Sequence, residues 1–568
     1  MEITCSNFSE QYERIASIIK NASFVALDLE FLGLEDEECG KRCSLFDTPQ
    51  ERYEKALHSV RRFPPVQLGL ALFTEQDDGE SYKVDVFSIY LFKKVSMGQD
   101  YSFSVSSLAF LNEHGFDFNK LTRSGVSHFN LDQLQRVLER FHQPHGIEIF
   151  GSHLPPLLHQ LQRIIRTEVA NLRRKSTGSE GAEQFAFPCI PIAITEELSD
   201  LQKHALLYKL QGCTPGIRME INGGILMVYC QSPPERKREV KKKLFEMITR
   251  ELMAASDVIL AIIDARLPIV GHNSFRDMLY IYEYFVADLP DNLPDFKRAV
   301  NTVFPIVIDT KVLAEECKNL LSWHGVMNYR LESLNAFFER MSHDPAIPCP
   351  QYIFDSGIAS KFRNPDSASM HDAGVDSVTT GQAFVRLAHL VALHERKVRS
   401  CVRFKHLIYN TRPLSNRLPV PLLGVPYINL FGAEPPSRNP DAIILEMIAQ
   451  DDAAGLGALR RELRGKFGRW RYWRVVKYYS MHPAYRVLGD NFTDSSRSLP
   501  STPSSASSET DDSGPATPIR PLSPTGKAPF CVSHLVLDLA PVPAIKWWLF
   551  ACSFIFVHQF IGRRNNRV

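Results

Sequence analysis

The chain has 568 residues, 44% of them hydrophobic and 23% charged, which is enough for roughly three or four domains with sizeable cores. A net charge of +1 excludes a global basic field, so any nucleic-acid contact must come from local patches. The 11 cysteines form no CxxC pair and no zinc-finger spacing, and Met1–Phe8 lacks a basic stretch before an apolar one; the expectation is free thiols in a reducing compartment, without secretion.

Residues 8–22 read as a short amphipathic helix feeding the stretch Phe24-Val-Ala-Leu-Asp28-Leu-Glu30-Phe-Leu-Gly-Leu34. That stretch reads as a buried strand whose apolar run is broken by acids at i and i+2. Residues two apart on a strand share a face, so the two carboxylates stand side by side, about 7 Å apart by strand rise. Acids in an oily element are paired or hold a cation, because unpaired buried charge is expensive. On this stretch alone, a salt bridge or a surface face is as good a reading as a site.

Arg61–Phe73 and Tyr82–Phe92 read as two further strands around the turn-rich Gln76–Glu80, and so short a loop implies antiparallel pairing. Helix-like stretches follow over 130–142 and 154–174. After a loop at 175–187 comes a separate unit: a helix at 195–210, strands Gly216–Ile221 and Ile225–Cys230 joined by Asn222-Gly-Gly224, and a long helix Glu235–Met253 with a basic start. Those basic residues read first as a solvated helix face. From 255 an α/β pattern resumes. Leu267–Val270 is a strand, Gly271–Ser274 a turn with a capping Ser, Phe275–Ala287 an amphipathic helix carrying Asp277, and Phe304–Asp309 a strand. Helices follow at Leu331–Met341 and Ser377–His394.

Residues 420–480 change pattern. Strands at Tyr427–Leu430 and Ala442–Ile448, a helix at Leu456–Phe467 and Trp473–Tyr479 suggest a small α+β sandwich of RNA-recognition-motif type, without its aromatic signature. Arginines and lysines interleave with aromatics over 460–479, which suits single-stranded nucleic acid and suits a basic helix beside an aromatic strand equally well. The Ser/Thr/Pro-rich segment around 494–527 reads as a disordered linker. Beyond it, Trp547–Ile561 is apolar and followed by Arg563, Arg564 and Arg567. As a helix it spans about 22 Å against a hydrocarbon core of about 30 Å; its Trp and Arg flanks favour a membrane tail anchor over a core helix.

Three more residues complete a constellation with Asp28 and Glu30. Asp277 lies near the start of a helix, and His371 and Asp376 lie in His371-Asp-Ala-Gly-Val-Asp376. Singly, each has a bland role as first-turn acid, loop histidine or cap. Together, four acids and one His from three distant segments suit two divalent cations: hard oxygen donors select Mg²⁺ or Mn²⁺. Two such ions, typically about 3.5–4 Å apart, clamp the attacking and leaving oxygens of a phosphodiester. A histidine can take the proton of the attacking water.

These residues resemble the DEDDh motifs of 3′→5′ exonucleases, and specifically those of the poly(A)-specific ribonuclease (PARN) family. The likeness extends through Gln67-Leu-Gly-Leu, Gly115-Phe-Asp-Phe-Asn-Lys120, Val270-Gly-His-Asn and Asp309-Thr-Lys, across most of residues 20–390. It implies an α/β, RNase H-like nuclease core, a mixed sheet flanked by helices, in two parts (1–175 and 251–400). A small α+β domain (176–250) is inserted between them; an RRM-like region (401–490), a disordered linker (491–543) and a transmembrane tail anchor (544–568) follow. The implied site is Asp28, Glu30, Asp277 and Asp376 as ligands of two Mg²⁺ (or Mn²⁺) ions, with His371 beside them. The family's insert is named for an Arg-x-x-x-His signature that this chain lacks; its nearest text is Leu201-Gln-Lys-His204. Leu32 stands where family members tend to have a small hydroxyl residue.

The tail anchor points to the membrane-tethered branch of that family. The resemblance then implies trimming of the 3′ ends of PIWI-bound piRNA precursors at the mitochondrial outer membrane, nuclease facing the cytosol, beside a Tudor-domain adaptor. The endoplasmic reticulum is the alternative membrane, and a homodimer is a further implication. The competing activities are a poly(A) deadenylase and, from another class, a catalytically silent RNA-binding scaffold at a membrane. The second is disfavoured because all five site positions are filled.

Overall fold

The structure is a computed structural model. It describes residues 1–35, 43, 45, 47–95, 100–176, 189–213, 217–230, 234–343, 350–355, 371–396, 401–422 and 424–437, together with four strands at 442–447, 474–476, 485–488 and 533–538. The chain divides into two compact units. The first comprises Met1–Leu34, Ala56–Pro419 and Asn429–Ala433; the second comprises Glu35–Lys55, Val420–Ile428 and Glu434–Val568.

The first unit is built on a mixed sheet. Its strands are β1 (Glu2–Ile3), β2 (Phe24–Phe31), β3 (Pro65–Glu75), β4 (Ser81–Tyr90), β8 (Ile269–Gly271) and β9 (Val307–Asp309), in the order β1-β4-β3-β2-β8-β9, with β10 (Gln351–Phe354) also paired to β4. The β2, β3 and β4 ladders are antiparallel, whereas β2–β8 and β8–β9 are parallel. The antiparallel hairpin over Gln76–Glu80 is as the sequence requires. Central position explains the composition of β2: Phe24, Val25 and Ala26 are all buried, as a strand covered on both faces must be. On the even-numbered face, Phe24 and Ala26 pack with Val378, Phe384 and Val385 of the long helix Ala373–Arg396, with the Phe24 and Phe384 rings edge-on at 4.9 Å. The same period of two puts Asp28 and Glu30 on that face.

Between these parts, β5 (Cys189–Ala193), β6 (Ile217–Asn222) and β7 (Ile225–Cys230) form a separate antiparallel sheet in the order β5-β7-β6. Gly223 and Gly224 turn it at φ 53° and 82°, the left-handed pair that a two-residue hairpin needs. His204, in the text nearest the missing signature, is held by Glu251 at 2.6 Å.

Several expectations shift. A helix, Pro49–Arg62, occupies the start of the stretch read as a strand from Arg61, so β3 begins at Pro65. Its start carries a capping box: Thr48 Oγ1 accepts from Glu51 N–H while Glu51 Oε2 accepts from Thr48 N–H. Phe275–Ala287 is an α-helix only to Ile281, then a single π-turn over Tyr282–Val286. It is buried on nearly every side rather than amphipathic. The expected capping role of Ser274 also fails: its side chain makes no cap bond, and its hydroxyl donates to Asp309 instead.

In the second unit, β11 (Ala442–Met447), β12 (Arg474–Val476), β13 (Tyr485–Leu488) and β14 (Ser533–Asp538) form a sheet in the order β11-β14-β13-β12. This corrects the RNA-recognition-type expectation for 401–490 in two ways. The sheet does not include Tyr427–Leu430, and its fourth strand comes from 533–538, inside the expected 491–543 linker. Ser-His-Leu-Val-Leu-Asp is a strand-like run that the surrounding Ser/Pro composition obscures. The expected helix 456–467 and the rest of the linker lie outside the described residues. So does the expected tail anchor, 544–568; among the described residues no helix is long and apolar enough to cross a membrane.

Candidate metal centre

The site forms where β2 outruns its parallel neighbour. β8 pairs with β2 only at Val25 and Ala26, and the chain then turns through Gly271–Ser274 into the helix Phe275–Ile281. Asp309, at the end of β9, ties that turn down: it accepts from Asn273 N–H at 3.1 Å, from Ser274 N–H at 2.7 Å and from Ser274 Oγ at 2.8 Å. Asn273 adopts φ 58°, a left-handed conformation that Asn tolerates. The helix thereby lays Asp277 against the free edge of β2, beside the backbone of Leu29, between Asp28 and Glu30.

The other wall is the start of the Ala373–Arg396 helix, and the sheet is shaped to receive it. Asp28 pairs with Gly69, which pairs with Ser88; Glu30 pairs with Gln67. A Cβ on Gly69 would lie 1.8 Å from the Ala373 carbonyl oxygen, and one on Gly374 would lie 2.2 Å from Ser88 Oγ. Glycine at both positions therefore lets backbone rest on backbone. Gln67 Oε1 accepts from Ala373 N–H at 3.0 Å. Asp372 Oδ1 caps the helix, accepting from Gly374 N–H at 3.0 Å, and also takes the Ser88 hydroxyl at 2.8 Å. The cross-strand partners of the two acids thus fix the helix turn that carries Asp376.

All five residues singled out in the sequence come together. Glu30, His371 and Asp376 each offer a ligand atom within 4.8 Å of the others, and His371 Nδ1 is 4.0 Å from Asp376 Oδ2. Asp28 adjoins them: burial first, then the charges of Asp376, Asp277 and Glu30, raise its carboxyl well above the usual range. Glu30 is raised by burial and then by Asp376 and Asp277. Burial pushes Asp277 up to about 7, with Asp309 adding repulsion that Arg276 partly relieves. Asp376 also rises to about 7, through burial and then Glu332 and Asp372. Acids crowded like this keep protons unless a cation replaces them. The donor set, oxygen-rich with one imidazole, fits hard divalent ions.

The family model for the CAF1 family of ribonucleases matches residues 3–384, a span that holds every residue of this cluster. The chain belongs to the CAF1 family. Among its relatives in this ribonuclease family, a Bombyx mori protein described as a pre-piRNA 3′-exonuclease trimmer is 27% identical over 449 residues, covering 78% of this chain and 81% of its own. The poly(A)-specific ribonuclease PNLDC1 of Mus musculus is 25% identical over 465 residues, covering 78% and 82%. The poly(A)-specific ribonuclease PARN of Xenopus laevis is 29% identical over 455 residues, covering 76% and 69%. The PARN-like exoribonuclease resemblance is therefore borne out, on an α/β core with a mixed sheet.

Sequence reasoning left several neighbours of this CAF1-family centre without a role. Asp372 lies inside His371–Asp376, and an Asp one residue before a helix start is a legible cap. Gln67 and Gly69 lie in Gln67-Leu-Gly-Leu, a run that by itself marks no function for either. Glu332, Phe110 and His114 come from helices distant in the chain, and no local pattern marks them.

Proposed function

We propose that this ribonuclease is a metal-dependent 3′→5′ exoribonuclease that trims the 3′ ends of PIWI-bound piRNA precursors. Asp28, Glu30, Asp277 and Asp376 would hold two divalent cations, Mg²⁺ or Mn²⁺, and His371 would serve as general base. The convergence of these five residues in one acidic cluster carries the reading. Bound there, the cations supply Lewis acidity to the scissile phosphodiester and to the oxygens entering and leaving it. His371 accepts a proton from the attacking water, and burial together with its neighbour His114 holds it below its ordinary value, ready to do so. The β2 carboxylates and the two helix acids face the cluster from different elements, so the phosphate is oriented from several sides.

The piRNA substrate is supported by the trimmer relative. A second reading, a poly(A) deadenylase, is supported by the relatives described as poly(A)-specific. Incubating the purified protein with 5′-labelled oligo(A) and mixed-sequence RNA, with and without EDTA, tests both. Trimming predicts comparable shortening of both RNAs, fully blocked by EDTA and by Asp28→Asn. A large preference for oligo(A) would favour the deadenylase, and shortening that survives EDTA would remove the metal reading.

The proposed place of action is the mitochondrial outer membrane, on the support of the apolar run Trp547–Ile561 and the arginines after it. A chain lacking 545–568 should leave the membrane fraction with its nuclease activity intact; continued sedimentation with membranes would refute the anchor.

A further inference from the structure

His371 has a backbone that most residues avoid, with φ at 71°. Such a backbone persists only where its surroundings hold it. Those surroundings come from the helix Val105–Glu113 and from His114, the residue that ends it. The His371 ring meets the His114 ring at a centroid distance of 4.3 Å and 76°, and the Phe110 ring at 4.7 Å and 69°. Phe110 and His114 contact each other at 4.3 Å, so three rings pack mutually, two of them edge-on to His371, an arrangement aromatic quadrupoles favour.

The wall itself is fixed. His114 Nδ1 lies 2.7 Å from the Phe110 carbonyl oxygen, and a carbonyl can only accept, so Nδ1 carries the hydrogen and the ring plane is set. The helix is tied down at its other end, where Ser104 N–H donates to Leu32 O at 2.7 Å, one residue beyond β2. Leu111 packs among Val66, Tyr90 and Leu121. The strand bearing Asp28 and Glu30 is thereby connected to the ring that faces His371.

We propose that His114 is a positioning residue: its imidazole, braced by Phe110, holds the His371 ring in register with Asp376 and the β2 acids. This rests on His371 acting as base, as proposed above. It assigns His114 a role through ring packing, without contact to the RNA or a proton of its own.

The experiment compares His114→Ala and His114→Phe in the full chain, with Asp28→Asn as control. His114→Ala should lower kcat roughly threefold to tenfold, the rate equivalent of losing a ring contact or two, with KM for a mixed-sequence RNA unchanged. His114→Phe, which keeps a ring and lacks the nitrogens, should restore most of kcat. Ring-to-ring nuclear Overhauser contacts between residue 114 and His371, measured in metal-free protein, should be present in wild type and His114→Phe and absent in His114→Ala. Wild-type kcat in His114→Ala overturns the inference. So does a His114→Phe as slow as the alanine variant, since that would mean a nitrogen of His114 acts, on substrate, on a proton or on the basicity of His371, and not its ring. An active Asp28→Asn would instead remove the underlying metal-site reading, a separate failure.

Discussion

Gly69 carries more of the site than any titratable residue outside it. It lies opposite Asp28 on β3, and a single methyl group there would come within 1.8 Å of the Ala373 carbonyl. The helix start cannot yield without moving Asp376. Gly69→Ala is therefore expected to leave the sheet folded and to lower RNA cleavage by roughly a hundredfold, the usual consequence of a displacement of about 1 Å at reacting groups. Single-turnover cleavage and a calorimetric Mn²⁺ titration check it, and both should weaken; wild-type values for both would show that the helix tolerates the methyl group. The contrast with Asp28 and Glu30 explains what could be read in advance. Two acids on alternate positions of an apolar strand announce themselves, because their cost is local. The need for glycine at 69 arises from a helix some 300 residues later, and one-dimensional text holds no trace of that approach. His114 was hidden for the same reason.

The Ala373–Arg396 helix shows how an element delivers a residue. Its first turn is held by Asp372, whose carboxylate accepts from Gly374 N–H and from Ser88 Oγ, and by Gln67. Asn caps as well as Asp but carries no charge, so two substitutions separate the capping role from the electrostatic one. Asp372→Ala should cost about 1 kcal/mol in urea unfolding and slow cleavage, whereas Asp372→Asn should keep wild-type stability. Equal losses in both would mean that charge, not capping, dominates. Elements with a regular period were legible: β2, the β3–β4 hairpin and the turn at Asn222–Gly224. The helix Pro49–Arg62 has a legible start, since Thr48-Pro-Gln-Glu51 is a capping box, but the stronger strand signal that follows masks it. The π-turn at Tyr282–Val286 and the non-helical Ala254 within Pro234–Asp264 were not legible. They answer to packing on all sides, which has no sequence period.

At the scale of the whole molecule, the acid cluster couples protons to stability, and the proposed cations would join them. An unfolded Asp or Glu ionises near pH 4, whereas Asp277 and Asp376 are pushed up to about 7 and Asp28 and Glu30 are raised well above their ordinary values. Between those limits the folded state binds more protons than the unfolded chain, so the slope of unfolding free energy with pH is negative. The cluster's contribution is complete below about pH 4 and is lost as pH rises through 7. Divalent cations held there, as proposed, would reverse the trend, since they would bind the ionised carboxylates and stabilise only the folded state. Metal-free protein should accordingly melt at a lower temperature at pH 8 than at pH 6, and the rise in Tm on adding Mn²⁺ should be larger at pH 8. Replacing two of the acids, Asp28→Asn with Asp376→Asn, should raise the metal-free Tm at pH 8, flatten its pH dependence and abolish the Mn²⁺ increment. The difference between wild type and that double variant isolates the cluster from every other titrating group. A difference that stays constant from pH 5 to 8 would mean the four carboxylates do not repel one another in the folded chain, and the physical case for a metal centre would fall with it.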